Sequence, residues 1–148
     1  MENTRSLYDR KLRTMSNETL LNYASSRGHE ILFRNLTATK AITFEENGRF
    51  YIALANNLSR TEEKELAAHE LGHCEYGGTY CRSTKYGLKA RAEYRANKWA
   101  YYQLVSPDEI SECAHRGIVT PWELAEHFEV SCEFMCRALG YYQMAGVV

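Results

Sequence analysis

Prolines are nearly absent from this chain: Pro107 and Pro121 are the only two in 148 residues, alongside nine glycines. So little chain-breaking chemistry argues against long Pro/Gly-rich linkers and predicts a chain that folds nearly throughout. No apolar run approaches the roughly 20 residues a membrane-spanning helix needs, so no membrane segment is expected. The opening stretch, MENTRSLYDRKLRTMSNETL, is polar and charged and has no apolar core of a secretion signal. A net charge of −1 gives the whole chain no pull toward nucleic acid or an anionic membrane. Cysteines are five, an odd number, and neither Cys74/Cys81 nor Cys132/Cys136 has the two-residue spacing of a zinc knuckle. They are expected as reduced thiols of a cytoplasmic protein, several of them buried.

What is present is enough apolar residue, 45% of the chain, for one core. Periodicity predicts a helix over 4–26, with Gly28 as its stop. HEILFRNL (29–36) reads as a first strand, and AITFEENGRFYIALA (41–55) as two β-rich runs around an Asn47-Gly48 turn. A helix follows through RTEEKELAAHELGHCEYG, opened by Ser59 with Glu62 as a capping pair. Residues 79–87 read as a loop and 88–105 as a second helix, ended by Ser106-Pro107. Helical segments at 107–115, 121–128 and 131–143 complete the chain. Helix, small sheet, then helices make an α+β order rather than an alternating one.

One stretch carries chemistry. In AAHELGHCEY, His69 and His73 stand four apart, so on a helix both rings face one point. Glu70 lies beside them, within reach of a water held there. Two neutral imidazoles with an intervening glutamate are the means by which metalloproteases bind zinc and supply a general base. The surrounding Leu66, Ala67, Ala68, Leu71 and Gly72 make the helix apolar and buried, and Gly72 leaves room for another backbone. Burying two histidines and a glutamate without a metal would strand polar groups. A catalytic zinc needs a third protein ligand and an open position. Glu75 points away from His73. Glu93, twenty residues after His73 on the next helix, can return to it across the intervening loop, and is the expected ligand. Asn97, one turn further, shares its face and is the expected hydrogen-bond partner of a ligand histidine.

EKELAAHELGHCEYG, RAEYRANKWAYYQLVSPDEI and GIVTPWELAEHFEVSCEFMCRALGYY together resemble the ImmA/IrrE family of zinc metallo-endopeptidases over about residues 42 to 143. The resemblance implies a compact zincin-like α+β fold, like a small thermolysin core, with a three-stranded antiparallel sheet and about five to six helices. It implies one catalytic Zn2+ held by His69, His73 and Glu93, with Glu70 as the catalytic glutamate. It implies a protease that cleaves or inactivates a helix-turn-helix repressor encoded nearby in a prophage or mobile element. Trp99-Ala100 stands where the family usually has Phe-Ala; no helix-turn-helix domain is expected ahead of the protease, and the substrate is expected in trans. In that reading residues 1–148 form a single metallopeptidase domain. Residues 1–40 hold the N-terminal helix and first strand, 41–105 the sheet and metal-binding helices, and 106–148 the C-terminal helices.

Further expectations concern roles around the site. Tyr76, Tyr80, Tyr86 and His115 are the residues weighed as oxyanion donors. The strand GRFYIAL is weighed as a free edge for an extended substrate, against a plain core strand. Residues 122–140 look like a helix-turn-helix but carry Glu123, Glu126, Glu129 and Glu133 against Arg137, so direct nucleic-acid binding is not expected. Packing or repressor docking is the expected use of these helices, with Trp122 in the core, His127 at the surface and Cys132 and Cys136 facing inward. Residues 1–40 are mildly basic, seven Lys or Arg against four Asp or Glu, and a solvated helix is their plain reading. The alternative to proteolysis is a zinc-stabilised anti-repressor that binds and displaces the repressor without cutting it.

Overall fold

The computed structural model describes residues 16–76 and 86–148, and these fall into two units, 16–100 and 101–148. The first opens at Ser16, whose hydroxyl accepts from the Thr19 N–H at 3.2 Å and caps helix α1 (Asn17–Ser26). Ser16 is extended (φ −75°, ψ 167°), so the helix predicted over 4–26 begins at Asn17; residues 4–15 lie outside the described residues. Leu20 and Ala24, one turn apart, are its buried positions.

Strand β1 (Glu30–Arg34) precedes a hairpin of β2 (Ala41–Glu46) and β3 (Arg49–Ala55). Asn47 and Gly48 take φ of 53° and 78° at the turn, the positive pair that a two-residue hairpin loop requires. Sheet order is β1-β3-β2, with β2 antiparallel to β3 and β1 parallel to it, from Glu30 opposite Tyr51 to Arg34 opposite Ala55. The sheet is therefore mixed rather than the antiparallel one expected. Residues 35–40 carry the chain to the far edge, and the hairpin returns β3 between β1 and β2, running the same way as β1. Ile52, Ala53, Leu54 and Ala55 are consecutively buried, the mark of a strand covered on both faces. Within GRFYIAL, Tyr51–Leu54 thus have both edges paired, while Arg49 and Phe50 pair with β2 alone, so this is the central strand and not a free edge. Among the described residues the outer antiparallel edge belongs to β2.

Ser59 accepts from the Glu62 N–H at 3.1 Å and opens helix α2 (Arg60–Glu75), which packs on β3, β2 and α1. Leu71 on α2 and Ile52 on β3 are fully buried, each adding roughly 1.5–3 kcal/mol of stabilisation. Helix α3 (Tyr86–Leu104) lies hard against α2 at one point: a Cβ on Gly72 would stand 2.7 Å from the Ala96 carbonyl oxygen. No side chain fits there, so glycine sets how near the two helices come.

The 101–148 unit takes the end of α3 and adds α4 (Pro107–His115), α5 (Pro121–Phe128) and α6 (Cys132–Met144). Thr120 and Glu123 exchange hydrogen bonds in a capping box, Glu129 turns the chain with φ 55°, and Ser131 caps α6. The core is Leu124, Ala125, Phe128, Phe134, Met135, Ala138 and Tyr142, and the Tyr142 hydroxyl donates to the Val105 carbonyl at 2.6 Å. Three placements differ from expectation. Trp122 is 66% exposed, because it lies two residues, about 200°, from the inward Leu124. Cys132 and Cys136 are exposed for the same reason relative to Phe134 and Ala138. His127 is half-buried, with Nε2 3.2 Å from Glu109. Three strands and six helices among the described residues make the class α+β, and no described helix is long and apolar enough to cross a membrane.

Candidate metal centre

The approach of α2 and α3 at Gly72 and Ala96 brings together the side chains three residues before and one residue after it on each helix. His69 and His73 on α2 have ring centroids 4.8 Å apart, and their Nε2 atoms are separated by 3.1 Å. Glu93, one turn before Ala96 on α3, reaches both: Oε2 lies 3.1 Å from His69 Nε2 and Oε1 3.0 Å from His73 Nε2. Asn97 Oδ1 lies 2.8 Å from His69 Nδ1. An amide oxygen can only accept, so Nδ1 carries a proton, and Nε2 is the ring nitrogen turned to the Glu93 carboxylate. Burial holds the His73 imidazole below the ordinary histidine range; His69 adds to this, while Glu93 and Glu70 oppose it.

These residues suit a zinc ion. Tetrahedral donors about 2.0–2.1 Å from zinc stand roughly 3.3 Å apart, close to the separations seen between the three pairs. Two imidazoles and one carboxylate are a donor set that zinc favours. Glu93 is 39% exposed, so the cluster opens toward solvent on one side. Cys74 is no competitor: burial, with Glu70 and Glu75 nearby, pushes its thiol up to about 12. Glu75 is engaged elsewhere, its two oxygens 3.1 and 3.3 Å from the Arg27 guanidinium.

Glu70 lies next to His69, and its Oε2 accepts a hydrogen bond from the Thr43 hydroxyl on β2. This leaves the other carboxylate oxygen for a water. Thr43 is a residue that reading the sequence missed. The alternation of β2 pointed the other way: it would turn the apolar Ile42 and Phe44 inward, whereas they are 45% and 41% exposed and Thr43 between them faces α2. Of the four residues weighed as oxyanion donors, Tyr76 follows α2, is half-exposed and lines a cavity with His73. His115 is exposed in the last turn of α4, in the 101–148 unit. Tyr80 and the side chain of Tyr86 lie outside the described residues.

A helix presenting two histidines one turn apart, a carboxylate facing them from the next helix, and an acid between the histidines define a centre of metallopeptidase type. The chain belongs to the Peptidase_M78 family, the IrrE N-terminal-like domain, which it matches over residues 24–140. That span contains α2, α3 and all the residues just described, and agrees with the resemblance to the ImmA/IrrE family. A search of the curated proteins found no match.

Proposed function

We propose that this protein is a zinc-dependent endopeptidase that cuts a helix-turn-helix repressor in the cytoplasm. The observation that carries the reading is the convergence of His69, His73 and Glu93 to 3.0–3.1 Å of one another beside Glu70, in a chain of a peptidase family. Bound zinc would supply Lewis acidity to the scissile carbonyl and lower the pKa of its water toward ~7. His69, His73 and Glu93 would hold the ion, and Asn97 keeps His69 in the tautomer that leaves Nε2 free. Glu70 takes the proton of the attacking water and delivers it to the leaving amine. Thr43 holds one Glu70 oxygen so that the other faces the water. The repressor substrate rests on the likeness to the ImmA/IrrE proteases.

The test mixes the zinc-loaded chain with the helix-turn-helix repressor encoded beside it and weighs the repressor by mass spectrometry. Two defined fragments are expected, and Glu70→Gln should keep its zinc while losing about 100- to 10,000-fold in rate. A repressor that stays intact yet leaves its operator would replace this reading with displacement without cutting.

A further inference from the structure

Between the end of α2 and the first half of α3 lies a cavity of about 120 Å³, lined by His73, Tyr76, Leu88, Arg91, Ala92 and Arg95. Leu88, Arg91, Ala92 and Arg95 are spaced i, i+3, i+4 and i+7, so they form one face of α3. The two arginines stand one turn apart beside the imidazole that Glu93 approaches. Both are exposed, and among the described residues no carboxylate is paired with either guanidinium. Sequence deepens the imbalance: from 86 to 98 along α3 the basic residues are Lys89, Arg91, Arg95 and Lys98, against the single acid Glu93. That acid is turned toward His69 and His73. An arginine fork has no role in holding a cation beside it; like charges there oppose metal binding unless something negative arrives.

We propose that this cavity receives the carboxylate of an Asp or Glu side chain of the polypeptide substrate, one or two residues from the bond that is cut. The inference rests on the peptidase reading for the word substrate, and on the cavity alone for the carboxylate. Planar guanidiniums take a carboxylate with paired hydrogen bonds, which a neutral amide of the same shape cannot match. Leu88, Ala92 and the Tyr76 ring give the methylene carbons of such a side chain an apolar wall. Distance fits as well. An extended chain advances about 3.3–3.6 Å per residue, and His73 is both a wall of the cavity and a member of the metal cluster. A chain whose carbonyl meets the cluster therefore passes a neighbouring side chain over the cavity.

The experiment offers the zinc-loaded chain an end-blocked octapeptide library and sequences the products. Peptides with Asp or Glu at one position beside the cut should exceed those with Asn or Gln by about tenfold, the factor that 1.4 kcal/mol gives. The preference should shrink as ionic strength rises and vanish in the Arg91→Gln/Arg95→Gln double variant, with zinc content and circular dichroism unchanged. Single variants serve if the double one folds poorly, since each should reduce the preference. A second arm measures binding of one Glu-containing octapeptide and its Gln counterpart to the zinc-loaded Glu70→Gln chain. Cutting without acidic preference overturns the cavity assignment and leaves the peptidase standing. No cutting, with tighter binding of the Glu peptide that depends on both arginines, does the reverse. Equal binding of the two peptides overturns the assignment, as does tighter binding of an oligonucleotide lost in the same variants.

Discussion

The helices of 101–148 and the helix α2 of 16–100 solve different problems with similar sequence material. Helices α5 and α6 bury only apolar stripes, their starts are fixed by Thr120 and Ser131, and the buried Tyr142 hydroxyl is satisfied by Val105. Helix α2 instead buries Lys64 and His73, the only buried polar or charged residues among those described, and gives up a side chain at Gly72. Burying polar groups is unfavourable unless partners or ions satisfy them. The contrast shows where packing has been arranged for stability and where it has been arranged to hold donor atoms in place.

The contrast makes two stability predictions that separate the regions. Phe128, fully buried on α5, should cost about 3–5 kcal/mol when replaced by alanine, with the zinc affinity of the folded protein unchanged. Gly72→Val should cost less stability, about 1–3 kcal/mol of overpacking, yet weaken zinc binding at least ~10-fold. The added carbons must push away the Ala96 backbone, and Glu93 and Asn97 move with it. Urea unfolding combined with zinc titration against a competing chelator measures both. Equal losses of zinc affinity in the two variants would erase the distinction between the regions.

The same contrast explains what the sequence made legible. Caps, helix spans from Ser59 onward and the grouping of His69, His73 and Glu93 follow from periodicities of three and four along single helices. Their physical causes act between residues near in sequence, or between two adjacent helices. The parallel direction of β1 was not legible, since it depends on where six linking residues cross the hairpin. Trp122 misled because a large aromatic outweighed the phase of its own helix. Thr43 and the Arg91/Arg95 cavity were missed for a related reason: each acquires meaning only from what another segment brings opposite it. Thr43 can be tested as a positioning residue. Thr43→Val should lower the cleavage rate about tenfold, the weight of one hydrogen bond to a charged group, with zinc affinity unchanged. Thr43→Ser should restore most of the rate. A serine variant as slow as the valine one would reduce Thr43 to a packing role.

The smallest predicted effect concerns His29, a milder instance of polar burial in the 16–100 unit. Its ring stands 5.4 Å from Phe50, and Nδ1 is buried with no hydrogen-bond partner among the described residues. Burial lowers its pKa from the ordinary 6.5; Glu75 pulls it back up and Arg27 pushes it further down. The fold thus disfavours the charged ring, and the unfolded chain takes up this proton first as pH falls. Stability from this source is complete above 6.5, declines as pH falls below it, and levels off once the folded ring also protonates. Replacing His29 with Gln should flatten, without abolishing, the fall in zinc-free stability between about pH 7 and pH 5, read from urea unfolding at each pH. The remaining slope belongs in part to His73, which burial shifts the same way. An unchanged slope in the variant would assign the whole dependence elsewhere and confine the polar burden of this unit to α2.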